Sequence, residues 1–255
     1  THDIIANTDC ALGVKENQQI LETVLAYMRN NKVSAYDEKT GNGLVRHILI
    51  RKGFTSGEIM VCLIINGKEL PVEEKLVEAL KTINGMTSIY VNTNTENTNV
   101  IMGRKSRVLC GESTIKDVIH RRTLEEITSG KDALADSDRD GITFAISPLS
   151  FYQVNPVQTE VLYNTAMDYA ELTGKETVID AYCGTGTIGL IAAKNAKKVI
   201  GVELNKDAVK DARINAKENG ITNAEIYAGD AGRFMVDMAS KNQKADVVFM
   251  DPPRA

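Results

Sequence analysis

The feature that most constrains this chain is the alternation in its last third. Four apolar runs of strand length, near 176–182, 198–203, 224–228 and 245–250, alternate with segments of helical periodicity near 187–196, 206–219 and 231–241. Each run closes on a carboxylate or a glycine: Asp180-Ala-Tyr-Cys-Gly184-Thr-Gly186-Thr-Ile-Gly189, then Glu203, then Gly229-Asp230-Ala231, then Asp251-Pro252-Pro253-Arg254. Strands joined by helices must run parallel, because each helix carries the chain back to the starting end. Their ends therefore line up along one edge of an α/β sheet, where such folds bind ligands.

The first 145 residues follow a different pattern. Residues 16–30 place Ile20, Leu21, Val24, Leu25 and Met28 on one helical face. The runs 44–51 and 58–65, separated by Lys52-Gly-Phe-Thr-Ser-Gly57, form a predicted hairpin, and a second amphipathic helix is predicted over 73–83. Residues 88–92 form a strand that enters the polar tract Asn92–Asn99, expected as an exposed turn, and Val100–Met102 and Ser106–Cys110 add short strands. The expectation is an α+β domain over 1–145, with helices on one face of an antiparallel sheet, followed by a Rossmann-like α/β domain over 146–255. The second domain opens on a helix capped by Asn155-Pro156, with Val161, Leu162, Ala166, Tyr169 and Ala170 on one face.

Composition excludes several classes. No apolar run approaches the ~20 residues of a membrane span, and Thr1-His2-Asp3-Ile4 has no leader features; without an initiator Met it is read as the interior of a longer protein. The net charge of -4 is shared evenly, with 18 basic and 20 acidic residues in 1–150 and 12 and 14 in 151–255. Nucleic-acid binding would have to use local patches: Arg46/His47/Arg51/Lys52, Arg104/Lys105/Arg107 or His120/Arg121/Arg122. Cys10, Cys62, Cys110 and Cys183 form no C-x-x-C pair, and with three scattered histidines they support no zinc site or disulfide framework, so free thiols in the cytoplasm are expected. Cys62 lies in an apolar run as a small hydrophobe. Asp136, Asp138, Asp140 and Gly141 have the spacing of a calcium loop, but Ser147 stands where a bidentate Glu is needed, so the segment is taken as a solvated loop.

Gly184-x-Gly186-x-x-Gly189 followed by Glu203 suits either NAD or S-adenosylmethionine, since both present a ribose to an acid at the second strand end. Asp180, directly before the glycines, would repel a pyrophosphate and attract a sulfonium ligand with an ammonium group. Asp251-Pro252-Pro253 stiffens the fourth strand end toward the same cleft. These features favour S-adenosylmethionine and oppose an NAD-dependent oxidoreductase. An amino-group methyltransferase would place an aromatic residue where Arg254 stands.

Phe151-Tyr-Gln-Val-Asn-Pro-Val-Gln158, Asp180-Ala-Tyr-Cys-Gly-Thr-Gly186, Gly201-Val-Glu203, Gly229-Asp-Ala231 and Asp251-Pro-Pro-Arg-Ala255 together resemble the RNA 5-methyluridine methyltransferases, most closely the bacterial branch acting on 23S ribosomal RNA. Tyr36-Asp-Glu38, Gly43-Leu-Val-Arg-His-Ile48 and Gly67-x-x-Leu-Pro71 resemble that family's central domain. The resemblance implies an incomplete S-adenosylmethionine-dependent methyltransferase sheet and an RNA partner. Gln153, Tyr182, Gly184, Gly186, Glu203, Asp230 and Asp251 would be the cofactor-binding residues, with Asp230 accepting from the adenine amino group. It also implies a nucleophilic cysteine and a base glutamate beyond Ala255, so that these residues alone bind cofactor without turnover, and an RNA-binding barrel before Thr1. Cys183 matches a family cysteine that is not the nucleophile. Cys10 resembles the last ligand of an iron–sulfur cluster whose other ligands would precede Thr1, so no cluster is expected on this stretch. The alternative from another class is a non-catalytic RNA-binding protein on the same cofactor fold.

Overall fold

The computed structural model describes residues 7, 10, 13–120 and 141–252. The calcium-like loop up to Asp140, as well as Arg121, Arg122 and Arg254, lies outside the described residues. The chain forms two compact units, Thr1–Ile115 and Lys116–Ala255.

The first unit contains α1 (Asn17–Asn30), β1 (Val45–Lys52), β2 (Ile59–Ile65), α2 (Glu73–Leu80), β3 (Met86–Thr93) and β4 (Lys105–Gly111). The sheet order is β1-β2-β3-β4. The predicted hairpin is present, since β1 and β2 are antiparallel, but β2 and β3 run parallel and the sheet is mixed rather than antiparallel. The reason is α2, which returns the chain to the starting end of β2 before β3 begins. All seven residues of β2 are buried, as befits a central strand covered on both faces. Ile59, Val61, Leu63 and Ile65 share a core with Ile20 and Val24 of α1 and Leu76 and Leu80 of α2. Burial pushes the Cys62 thiol up to about 12, so it behaves as the small hydrophobe expected.

Two details differ from the sequence reading. On α1 the buried face is Ile20, Val24, Tyr27 and Met28, while Leu25 is 42% exposed; Tyr27 turns inward because its hydroxyl donates to the Pro71 carbonyl. Val100–Met102 is not a strand, because the Val100 and Ile101 carbonyls are taken by the Asn94 side chain rather than by a neighbouring strand. Asn92 and Asn94 are accordingly buried rather than part of an exposed turn.

The second unit contains β5 (Ile115–His120), β6 (Gly141–Ile146), α3 (Pro156–Ala170), β7 (Thr177–Ala181), α4 (Thr187–Ala193), β8 (Lys198–Glu203), α5 (Lys206–Glu218), β9 (Ala224–Ala228), α6 (Ala231–Ser240) and β10 (Val247–Met250). The four strands β10-β7-β8-β9 form one parallel sheet in that order, the Rossmann-like arrangement expected. Asn155, Asn205 and Asp230 cap α3, α5 and α6 through their side-chain oxygens. The division between units falls before residue 145 because β5 pairs with β6 and β6 packs on α5. Asn215 of α5 and Asn219 just past its end, one turn apart, accept the N–H groups of Ala145 and Thr143 at 2.9 Å each and close that edge of β6.

Helix α3 does not bury the face expected of it. Leu162 is 62% and Tyr169 86% exposed, and the inward residues are Pro156, Thr159, Glu160, Tyr163, Asn164 and Met167. Glu160 and Asn164 are buried because β5 offers them partners. Glu160 Oε1 accepts the His120 backbone N–H at 2.9 Å and lies 3.0 Å from its Nδ1, and Asn164 donates to the Glu160 carbonyl at 2.7 Å. Glu160→Ala would leave the His120 donor in a dry interior, and a loss of about 2–4 kcal/mol in urea unfolding is expected. A change under ~0.5 kcal/mol would mean that the cluster contributes little. Among the described residues no helix is long and apolar enough to cross a membrane.

Candidate cofactor site

The strand ends of the second unit converge as their register requires: Asp180 lies between Phe249 on β10 and Gly201 on β8, and the chain after Ala181 turns sharply. Tyr182, Gly184 and Gly186 all adopt positive φ, at 64°, 54° and 86°. For the glycines this is free of steric cost, whereas for Tyr182 it costs on the order of 1–2 kcal/mol. The turn is held from below, because Asn215 donates to the Thr185 carbonyl at 3.1 Å and Cys183 N–H reaches the Val202 carbonyl at 3.1 Å.

Each carboxylate has a defined setting. Asp180 is 3% exposed, and its Oδ2 accepts the Gly189 N–H at 2.8 Å. Burial raises its pKa to about 7; the Gly189 bond opposes the rise, while the nearby Asp251 and Glu203 charges add to it. Glu203 accepts from Gly184 N at 3.0 Å and Asn205 N at 2.7 Å through different oxygens, which fixes its plane and leaves a further lone pair on each. Asp230 uses Oδ1 to cap α6 at 2.8 Å from Arg233 N. The Cys183 thiol is pushed far above its usual value, first by burial and then by Asp180 and Glu203, so it stays protonated and is a poor nucleophile.

Around these groups lies a cleft of about 880 Å³, bordered by Tyr182, Gly184, Glu203, Asp230, Asp251 and Phe151. A smaller recess continues beside Gln153, Tyr163, Asp180 and Thr187. The Tyr163 hydroxyl lies 3.2 Å from Thr187 Oγ1. Of the sequence-predicted residues, Gln153, Tyr182, Gly184, Glu203, Asp230 and Asp251 line the two spaces; Gly186 caps α4 and lines neither. Lining residues that escaped the sequence reading as site residues include Phe151 and Leu204, 69% and 72% exposed, and Tyr163. The signal for Leu204 is an apolar residue directly after a strand-terminal acid.

Among the described residues neither space is lined by a Lys, Arg or His, so the cleft offers acceptors and negative charge. Its size is that of sites for small organic cofactors. These features fit S-adenosylmethionine, whose ammonium and sulfonium charges and ribose hydroxyls are what buried and fixed carboxylates would receive. Among the described residues no cluster of three or more His, Cys, Asp or Glu is placed to hold a metal ion, and Cys10 is an exposed thiol.

Residues 172–253 match the family model of a methyltransferase domain. Over its whole length the chain is 41% identical to an uncharacterized RNA methyltransferase of Caldanaerobacter subterraneus subsp. tengcongensis and 43% identical to one of Halalkalibacterium halodurans, covering 52% and 51% of those proteins. The chain thus spans about half the length of the curated relatives it matches. The tRNA (uracil-54, C5)-methyltransferase of Pyrococcus abyssi, solved in complex with S-adenosyl-L-homocysteine, has the same fold over 98% of this chain and 54% of its own, with a TM-score of 0.74 and 24% identity.

Proposed function

We propose that this chain carries the cofactor site of an S-adenosylmethionine-dependent methyltransferase that converts uridine to 5-methyluridine in RNA, with 23S ribosomal RNA as the substrate and the cytoplasm as its location. The observation that carries the reading is the buried Asp180 carboxyl at the head of a cleft that, among the described residues, no cation lines. A dinucleotide would set its pyrophosphate against that charge, whereas a cationic ligand would neutralise it. The relatives of similar sequence are RNA methyltransferases, and the Pyrococcus abyssi enzyme of the same fold acts on uracil C5. That enzyme's substrate makes transfer RNA the second reading for this protein.

When bound, S-adenosylmethionine supplies an electrophilic methyl group. The chain's own part is to hold it: Asp180 with Gln153 and Tyr182 at the amino-acid end, Glu203 at the ribose, Asp230 at the adenine, and Asp251 beside the reacting centre. Activation of uracil C5 belongs, in this proposal, to a cysteine thiolate that adds to C6 and is later eliminated after a base removes the C5 proton. Cys183 is not that cysteine, since it is buried and held protonated.

Calorimetry with S-adenosylhomocysteine should give micromolar binding to this chain that millimolar NAD does not displace. NAD binding of equal strength would sink the cofactor assignment. With the complete enzyme, an RNA containing 5-fluorouridine should remain covalently attached; methylation of a base nitrogen without an adduct would refute the uracil-C5 chemistry.

A further inference from the structure

The first unit has a concave surface of its own. A groove of about 870 Å³ is bordered by Lys68, Asn94, Glu96, Arg104, Lys105 and Arg107, where β3 ends and β4 begins. The intervening segment is rich in Asn and Thr and would ordinarily be mobile. Here buried amides pin it. Asn92, with no exposed surface, accepts the Gly103 N–H at 2.7 Å and donates to Gly103 O and Ser106 Oγ at 2.8 Å each. Asn94 donates to the Val100 and Ile101 carbonyls at 2.6 and 3.0 Å. From outside, Arg46 donates to the carbonyls of Asn94 and Glu96 at 3.0 and 2.8 Å while its guanidinium lies 4.6 Å over the Tyr36 ring. A Cβ at Gly103 would fall 1.8 Å from the Thr93 carbonyl oxygen, so the segment is packed backbone to backbone.

The groove so fixed is positively charged. Lys68, Arg104 and Lys105 are exposed and form no ion pair with a described residue, and Glu96 is the one acid on its wall. Arg107 is held back: both its terminal nitrogens bond the Glu73 carboxylate, one at 3.0 Å. In the same pinned segment Val100 and Ile101, whose carbonyls bond the groove residue Asn94, are 60% and 50% exposed, although most β-branched residues of this unit are inside. Exposed cations on a pinned backbone, with exposed apolar side chains in the same segment, suit a ligand with regularly spaced phosphates and flat bases.

We propose that this groove is an RNA-docking site of the first unit: Lys68, Arg104 and Lys105 contact backbone phosphates, Val100 and Ile101 support an unstacked base, and the Glu73 carboxylate limits the contribution of Arg107. The proposal rests on the RNA-substrate reading above. It assigns a place on the chain to part of that substrate, separate from the cofactor cleft.

Fluorescence anisotropy with a labelled uridine-rich RNA hairpin tests it, with salt varied between ~50 and ~200 mM. Arg104→Ala/Lys105→Ala is expected to weaken binding about tenfold and, with two phosphate contacts gone, to flatten the slope of log affinity against log salt by about 1.4. Glu73→Gln should move the other way and tighten binding about two- to threefold by releasing Arg107. Unfolding midpoints and S-adenosylhomocysteine affinity, measured on each variant, report fold and cofactor site. Wild-type affinity in the double variant, weaker binding by Glu73→Gln, or no RNA binding by the parent chain at low salt would overturn the proposal. Groove-dependent RNA binding by a chain that binds no S-adenosylhomocysteine would sink the methyltransferase reading and leave the groove standing.

Discussion

Asp180→Asn is expected to stabilise the ligand-free chain at pH 8 and at the same time to reduce S-adenosylmethionine affinity by two orders of magnitude or more. The folded carboxyl titrates at about 7 against an ordinary 3.8, so between those values the folded state binds a proton that the unfolded state does not. Stability with respect to this group is therefore full below the lower value and falls as pH rises through the window, by up to about 4 kcal/mol. An amide escapes that cost, and its oxygen can still accept the Gly189 N–H. The ligand reverses the preference, because a cation selects the ionised form. Wild-type affinity should fall by up to about tenfold per unit as pH drops below 7, and the Asn variant should lose this dependence. Urea unfolding and calorimetry at pH 6 and 8 measure both halves. Parallel pH profiles for the two proteins would refute the role given to Asp180.

Gly189→Ala should be the most damaging of the single-methyl changes in the glycine loop. The added Cβ would lie 2.8 Å from Asp180 Oδ2, 3.1 Å from Asp180 Cβ and 3.2 Å from Val199 Cγ1, and none of these is the free end of a flexible chain. Helix α4 must move off β7, which also breaks the Gly189–Asp180 hydrogen bond. A loss of about 2–4 kcal/mol is expected, together with loss of cofactor binding. Gly184→Ala meets nothing within 4 Å and is strained only by its φ of 54°, so about 1–2 kcal/mol should suffice there. Equal costs at the two positions would show that backbone conformation, and not the approach of helix to strand, sets the requirement.

The strand ends are legible in the sequence because the alternation is strict and each end carries its own marker, as at Asp180, Glu203, Asp230 and Asp251. The caps at Asn155, Asn205 and Asp230 are legible for the same reason, since the interaction is local. What could not be read depends on partners far away in the chain. Periodicity assigns Leu162 and Tyr169 to the inside of α3, but Glu160 and Asn164 take that place because His120, forty residues earlier, supplies their hydrogen bonds. Asn215 and Asn219 look like unremarkable helix residues until β6 lies beside them. Asn92 and Asn94 carry the composition of a loop, yet a loop that wraps its own amides becomes a fixed wall. The parallel pairing of β2 with β3 follows from α2, and strand propensities alone do not distinguish it from a meander.

The two borders of the second unit's sheet are chemically unequal. At one, β9 presents Glu225, paired with Lys198, and the exposed Tyr227 bonded to it. At the other, β10 is Val-Val-Phe-Met without a charge, with Val248 44% and Met250 58% exposed. Among the described residues β10 is thus the border at which this sheet can accept a further strand, and the charged β9 is the border at which it stops.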